Sequence, residues 1–417
     1  MQGIAIAGAG VGGLVTALSL ESAGRTDTTV LEAVSELRPL GVGINLLPHA
    51  VRELHELGLG DELATHGVPV DWMAYYDQHG NQICRVARGT AAGTKWPQYS
   101  LHRGNFQFML YRRVLEVLGP DAVRTGTRLR SFELTDDGVA LETVSGPSQV
   151  QEARQYAALI GADGVNSTVR ATLYPGEGEA CWNGCVMWRG TARLDSDFLQ
   201  ARTVLFAGHH DQRFMGYPIR MPDGELVLNW ICTVKVDRPR AAPEDWNRQV
   251  DPAEILERYQ TWRLGPISVP EVVANADAVY EYPMTDREPL PYWSVGQATL
   301  LGDAAHPMYP TGSQGSSQAI LDARVLAAEL TPDRPVADAL AAYDERRRQA
   351  TAKVVLANRQ MADARVLQLV HERAPQGFGR ASDVISDAEV QDINARYQRM
   401  AGFDPLELNQ RKSIAAR

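Results

Sequence analysis

Ile4-Ala5-Ile6-Ala7-Gly8-Ala9-Gly10-Val11-Gly12-Gly13 opens the chain almost at once, and its reading decides the fold. Four apolar residues that stop at glycines read as a buried strand. The glycines then fit G-x-G-x-x-G at Gly8, Gly10 and Gly13. Gly8 permits the turn, Gly10 lets backbone approach a pyrophosphate, and Gly13 lets helix and strand pack closely. Leu14 to Ala23 has the alanine and leucine content of a helix, closed by Gly24. The N-terminus of such a helix offers unpaired N–H groups and a positive dipole end to an anion. Thr28 to Leu31 reads as a second strand that ends on Glu32. About twenty residues past the glycines, a carboxylate can accept both hydroxyls of an adenosine ribose. The unit therefore predicts a dinucleotide site for FAD or NAD rather than NADP. By itself it does not choose between the two.

Two stretches further along favour FAD. Ala298 to Leu301 reads as another buried strand, running into Gly302-Asp303-Ala304-Ala305-His306-Pro307. Pro310-Thr311-Gly312-Ser313-Gln314-Gly315 follows, and helical periodicity runs from Ser316 to Leu330. Asp303 is placed to accept from a sugar-like hydroxyl, and the N–H groups around Gly312 to Ser316 can face an anionic ring edge. NAD has no such second requirement, whereas a flavin does. The third stretch is Ile160-Gly161-Ala162-Asp163-Gly164-Val165-Asn166-Ser167-Thr168-Val169-Arg170, a strand entering a turn with an aspartate and a helix starting near Ser167.

Together these motifs resemble the single-component FAD-dependent aromatic monooxygenases, the p-hydroxybenzoate and salicylate hydroxylase family, over about residues 2 to 360. Within that family the resemblance narrows to the phenazine hydroxylases. It is carried there by Arg38-Pro39-Leu40-Gly41-Val42-Gly43-Ile44-Asn45, Pro97 to Gly104, Met187-Trp188-Arg189-Gly190, Tyr217-Pro218-Ile219 and Tyr282-Pro283-Met284. It implies that Glu32 binds the adenosine ribose, Arg103 contacts the pyrophosphate region and Asp303 holds the ribityl chain. Asp163 would belong to a motif serving both FAD and nicotinamide. Pro310 and the Gly312 to Gly315 loop would meet the pyrimidine edge of the flavin, with Gly43 and Ile44 on its opposite side. Many relatives carry Asn where this chain has Ser317.

The implied fold is α/β: a Rossmann-like FAD-binding domain of the glutathione-reductase type, a β-sheet substrate domain and a helical C-terminal segment. Because the motifs are so far apart, the FAD domain must be discontinuous. Its expected segments are 1–70, 99–178 and 275–335, with the substrate domain at 71–98 and 179–274. Residues 336–417 form the expected C-terminal segment, with one helix running from Pro335 to about Val370. The implied reaction is NAD(P)H- and O2-dependent hydroxylation of a planar, electron-rich aromatic or heteroaromatic through a flavin C4a-hydroperoxide. FAD would be held noncovalently, with NADH or NADPH docking transiently, since only one full G-x-G-x-x-G is present. A carboxylic acid substrate, with or without loss of CO2, is among the options. Two alternatives stay open: a flavin reductase that inserts no oxygen, and a flavin-binding protein without turnover.

For the substrate site, Tyr217 falls in an alternating stretch with Met215 and Ile219 on the same face. Arg189 is the expected partner for a substrate carboxylate, because a guanidinium binds one bidentately; pairing within the sheet competes with that role. Trp182, Trp188 and Trp230 suit either a planar ligand or plain sheet packing.

Composition narrows the rest. With 417 residues, 41 Lys+Arg against 51 Asp+Glu and no basic block, the chain lacks the footprint of a nucleic-acid binder. Arg346-Arg347-Arg348 sits beside Asp344 and Glu345, as on a solvated helix face. Ile4 to Leu20 imitates a signal peptide, but its five neighbouring glycines and the lack of a positive start argue otherwise. Four cysteines make no disulfide framework. The histidines and Cys181/Cys185 show no metal spacing, and no G-x-S-x-G elbow appears. A cytoplasmic enzyme, monomer or homodimer, without metal, nucleic acid or membrane, is the expectation.

Overall fold

The computed structural model describes residues 3–38, 41–146, 148–237 and 248–415. Pro39 and Leu40, part of one resemblance stretch, and residues 238–247, inside the expected substrate domain, lie outside the described residues.

The chain folds as α/β. Ile4–Ala7 lies inside a six-stranded sheet, flanked in parallel by Ala158–Gly161 on one side and Thr28–Leu31 on the other. Ala298–Leu300 extends the sheet beyond Ala158–Gly161. Apolar side chains on both faces of a strand demand cover on both, which explains the unbroken apolar run. Helices Val11–Ser22, Arg103–Leu118 and Gly315–Glu329 share one core with this sheet and with the antiparallel sheet of Thr127–Thr135, Gly138–Ser145 and Val150–Tyr156. The first helix begins at Val11, not Leu14. Gly10 is its N-cap, and the Leu14 N–H already donates to the Gly10 carbonyl at 3.0 Å. Low helix propensity of glycine is overridden here because close packing needs Gly13: a Cβ there would lie 2.0 Å from the Gly8 carbonyl oxygen.

An eight-stranded sheet forms the second layer, with Cys181–Ala192, Leu226–Lys235, Gln212–Arg220, Thr203–His209 and Trp72–Tyr76 adjacent in that order. Alternation gives its faces different tasks. Trp188, Trp230 and Phe214 point to one face and pack with Ile255, Tyr259 and Val272 from two short helices. Tyr217, Val204 and Ile219 belong to the opposite face. Trp188 and Trp230 are therefore core residues, and the period-two pattern explains why they part company with Tyr217.

The C-terminal segment departs from expectation in one place. The predicted helix from Pro335 to about Val370 is two helices, Val336–Arg359 and Arg365–Arg373. Met361 between them adopts φ 51°, a left-handed conformation that ends the first helix. Asp387–Ala401 then packs back against the substrate sheet, with Val390 sharing a core with Tyr75 and Phe206. Among the described residues, no helix is long and apolar enough to cross a membrane, and no cluster of His, Cys, Asp or Glu is arranged to hold a metal.

Candidate active site

Parallel strands bring their C-terminal ends to one edge, and three sequence motifs meet there. The Gly8 N–H donates to the Leu31 carbonyl at 2.7 Å, and the Ala162 N–H to the Ala7 carbonyl at 2.8 Å. Gly8 adopts φ 101°, and a Cβ on it would lie 2.4 Å from the Ala162 carbonyl oxygen. Gly10 differs: a Cβ there would meet nothing within 4 Å, so its backbone faces an open cleft. Gly8, Gly10, Glu32, Gln107 and Asp163 line this cleft.

Glu32 accepts the Ala9 N–H on Oε2 and the Val34 N–H on Oε1, both at 2.8 Å. A carboxylate has about four lone-pair sites, so two remain for ribose hydroxyls. Gln107 Nε2 donates to the Ala9 carbonyl at 2.8 Å, holding the turn from the other side. Asp163 is engaged locally. It accepts from Ser167 Oγ at 2.5 Å and from the Thr168 N–H at 2.7 Å, so it secures the start of Thr168–Leu173. Burial pushes its carboxyl up, opposed by those hydrogen bonds. Arg103 starts the Arg103–Leu118 helix with an exposed side chain, and its N–H donates to the Val42 carbonyl at 3.0 Å. Asp303 is exposed, and its Oδ1 lies 3.8 Å from where Gly315 would carry a Cβ. An acceptor thus stands at the start of the Gly315–Glu329 helix. The open glycine backbone, the spare acceptors on Glu32 and the outward Asp303 fit an FAD laid along this edge.

Gly43 marks where this edge meets the substrate sheet. Its N–H donates to Asn229 Oδ1 at 2.6 Å, and its carbonyl accepts from the Arg189 guanidinium. A Cβ on Gly43 would lie 2.8 Å from the Tyr217 ring. Tyr217 is 2% exposed and hydrogen-bonds Arg189. Burial pushes its hydroxyl up, opposed by that guanidinium. Arg189 and Tyr217 are thus together, as expected, but they bind each other and the Gly43–Leu46 strand. Ile44 follows, half-buried and packed against the nucleotide-domain core. Ser317 Oγ accepts the Leu47 N–H at 3.2 Å, tying the far end of that strand to the Gly315–Glu329 helix.

Beside this cluster lies a cavity lined by Met73, Arg88 and Met215 from the sheet side, Gly312 and Ser313 from the loop, and Asp363, Asn394 and Tyr397 from the C-terminal segment. Met215 faces it while Tyr217 is packed away beneath. Pro310 is exposed at the head of the loop. Gly312 needs its φ of 66°, and a Cβ there would lie 1.7 Å from the Tyr397 hydroxyl. The Gly312 N–H donates to Asp363 Oδ2 at 2.9 Å, so this donor is directed at a carboxylate and not outward as the loop pattern predicts. Burial pushes the Asp363 carboxyl up, opposed by Arg213 and by the Gly312 N–H. Sequence reasoning missed Arg88, Asp363, Asn394 and Tyr397. Asp363 follows a helix break that periodicity does not show, and the other three come from segments with no glycine motif to mark them.

Comparison with known proteins agrees with this geometry. The FAD binding domain family matches residues 2–358. The chain is 42% identical over 366 residues to phenazine 1,6-dicarboxylic acid hydroxylase of Lysobacter antibioticus, covering 85% of this chain and 89% of that one. It is 32% identical over 352 residues to 3-amino-4-hydroxybenzoate 2-monooxygenase of Streptomyces platensis, covering 82% and 83%. The fold superposes with a TM-score of 0.79 on a Klebsiella pneumoniae HpxO variant complexed with FAD, at 24% identity, covering 97% and 100%.

Proposed function

The chain belongs to the FAD binding domain family, as an FAD-dependent aromatic monooxygenase that uses NAD(P)H and O2, and from that premise we propose that it hydroxylates a planar, electron-rich aromatic carboxylic acid of two or three fused rings in the cytoplasm. The observation that carries the reading is the junction of the two clefts: the Gly312–Ser313 loop starts at the nucleotide edge and lines the cavity under the substrate sheet. A cofactor along that edge would present its reactive ring to that cavity. The 42% identity to an enzyme named for a phenazine dicarboxylic acid supports the ring size and the acid.

FAD, when bound, supplies hydride acceptance and oxygen activation. The protein's share is to bind, orient and exclude water. Glu32 would accept the ribose hydroxyls, Gly10 would admit the pyrophosphate to the Val11–Ser22 helix terminus while Gly8 and Gly13 hold the turn that places it, and Asp303 would hold the ribityl chain. Arg103 would add positive charge to the pyrophosphate region. Gly43 and Ile44 would flank the flavin opposite Pro310 and the Gly312 to Gly315 loop, with Asp163 stabilising the turn behind it. Arg189 and Tyr217 act as positioning residues that fix the Gly43 backbone.

The test is to incubate the FAD-loaded enzyme with NAD(P)H, O2 and a panel of benzoic, naphthoic and phenazine acids. Mass spectrometry then looks for a gain of one oxygen, with or without loss of CO2. NAD(P)H oxidation that yields only peroxide with every acid would overturn the reading.

A further inference from the structure

Arg88 stands out among the cavity residues. It follows the Gln82–Ala87 strand and is 8% exposed. Its Nη2 donates to Asn394 Oδ1 at 2.8 Å and to the Tyr75 hydroxyl at 3.2 Å, and its Nη1 to the Ala87 carbonyl at 3.3 Å. All these partners are neutral. Among the described residues no carboxylate forms an ion pair with it, although four other buried arginines are paired: Arg324 with Glu53, Arg347 with Asp322, Arg170 with Glu177 and Arg52 with Glu56. Arg213, 4% exposed, is also without an ion pair, but its field falls on the Asp363 carboxyl. Asp363, the acid in the same cavity, has one oxygen on the Gly312 N–H and is under the field of Arg213.

A guanidinium removed from water without a counter-charge is strongly disfavoured. An anion that arrives to pair with it relieves that cost. We propose that Arg88 is the anchor for the substrate's carboxylate, with Asn394 and Tyr75 fixing its orientation. This rests on the aromatic-acid reading above and moves the anchor away from Arg189, whose guanidinium holds the Gly43 carbonyl. Of the five N–H donors of a guanidinium, Asn394, Tyr75 and the Ala87 carbonyl take three, which leaves one on Nη1 and one on Nε to donate to a carboxylate. Met73, Phe206, Met215 and Leu47 supply apolar walls for the ring. Asn394 belongs to the Asp387–Ala401 helix, so the C-terminal segment sets the geometry of the anchor and contributes to the choice of acid.

The experiment titrates FAD-loaded enzyme with phenazine-1-carboxylate and with phenazine-1-carboxamide, read by the change in flavin absorbance. Wild type should bind the acid more tightly than the amide. Arg88→Met should weaken the acid about 10- to 100-fold, the range for losing a charge-assisted pair, and move the amide less than about threefold, with flavin still bound. Asn394→Asp covers the case in which Arg88→Met fails to fold. It places an internal carboxylate on Arg88, keeps the volume, and should depress acid binding selectively. A wild-type enzyme that binds both ligands equally, or variants that keep the wild-type acid-to-amide ratio, would overturn the anchor and leave the functional reading standing. A wild type that binds none of a benzoate, naphthoate and phenazine set overturns the functional reading itself.

Discussion

Asp303 and Asp163 are both aspartates at strand ends, yet their surroundings predict different losses. Asp303 is exposed beside a helix terminus, whereas Asp163 caps its own turn. Asp303→Ala should reduce the flavin retained after gel filtration, since a hydrogen bond from a ligand to a charged group is worth about 1.5–3 kcal/mol. Asp163→Ala should retain more flavin but melt at lower temperature, because losing a cap costs about 0.5–2 kcal/mol. Equal flavin content in wild type and Asp303→Ala would remove the ribityl assignment. His49 gives a second residue-scale test. It is fully buried, stacks on Phe403 at 5.5 Å, and neither ring nitrogen has a hydrogen-bond partner among the described residues. Burial, with Arg411 and Arg347 nearby, lowers its pKa to about 3. The unfolded chain takes up this proton near 6.5 while the folded protein resists it. The resulting stability is complete above pH 6.5 and is lost as pH falls toward 3. By pH 5 the loss from this group is about 2 kcal/mol. Urea unfolding of His49→Leu should therefore vary less between pH 7 and pH 5 than that of wild type.

At the scale of elements, the strand-turn-helix units were legible because each carries its own punctuation. Ile4–Ala7, Ala158–Gly161 and Ala298–Leu300 are short apolar runs that end at glycine or beside it, and nothing remote is needed to read them. The Val336–Arg359 helix was legible only in part. Its end is set by Met361 in a conformation that glycine ordinarily takes, and an interior methionine gives no warning of it. For the same reason the contact of Asp363 with Gly312 could not be foreseen, nor could a cavity walled by three separated segments. Arg189 and Tyr217 were both expected at the substrate pocket, but the sequence does not reveal that Gly43 takes up the guanidinium. The loop itself is testable: Gly312→Ala introduces a Cβ into the Tyr397 hydroxyl at a φ that alanine resists. Thermal unfolding should show a loss of about 1–3 kcal/mol, accompanied by lower flavin occupancy. An unchanged melting temperature would mean that Tyr397 moves aside freely.

Over the whole molecule, two cores share one boundary: the nucleotide edge supplies the loop, the sheet supplies the apolar wall, and the C-terminal helices close the remaining side. Flavin reduction and ring binding should be coupled across it, so NAD(P)H oxidation should be slow alone and rise with a suitable aromatic acid. Stopped-flow reduction with and without ligand checks this, and a fast rate that no ligand alters would contradict it. The position of Ile4–Ala7 also governs when the protein comes into being. This first strand is an interior one, and its sheet is complete on one side only after Ala298–Leu300 arrives. Near the other end, Arg411 reaches back to the fully buried Glu53 at 2.9 Å. A ribosome adding roughly 5–20 residues per second needs roughly 15–60 seconds to deliver residue 300. Through that interval this wholly buried apolar strand has no finished place to go. Cofactor loading is then expected to be a late event in biogenesis, after Asp303 and the Gly312–Ser313 loop have been delivered.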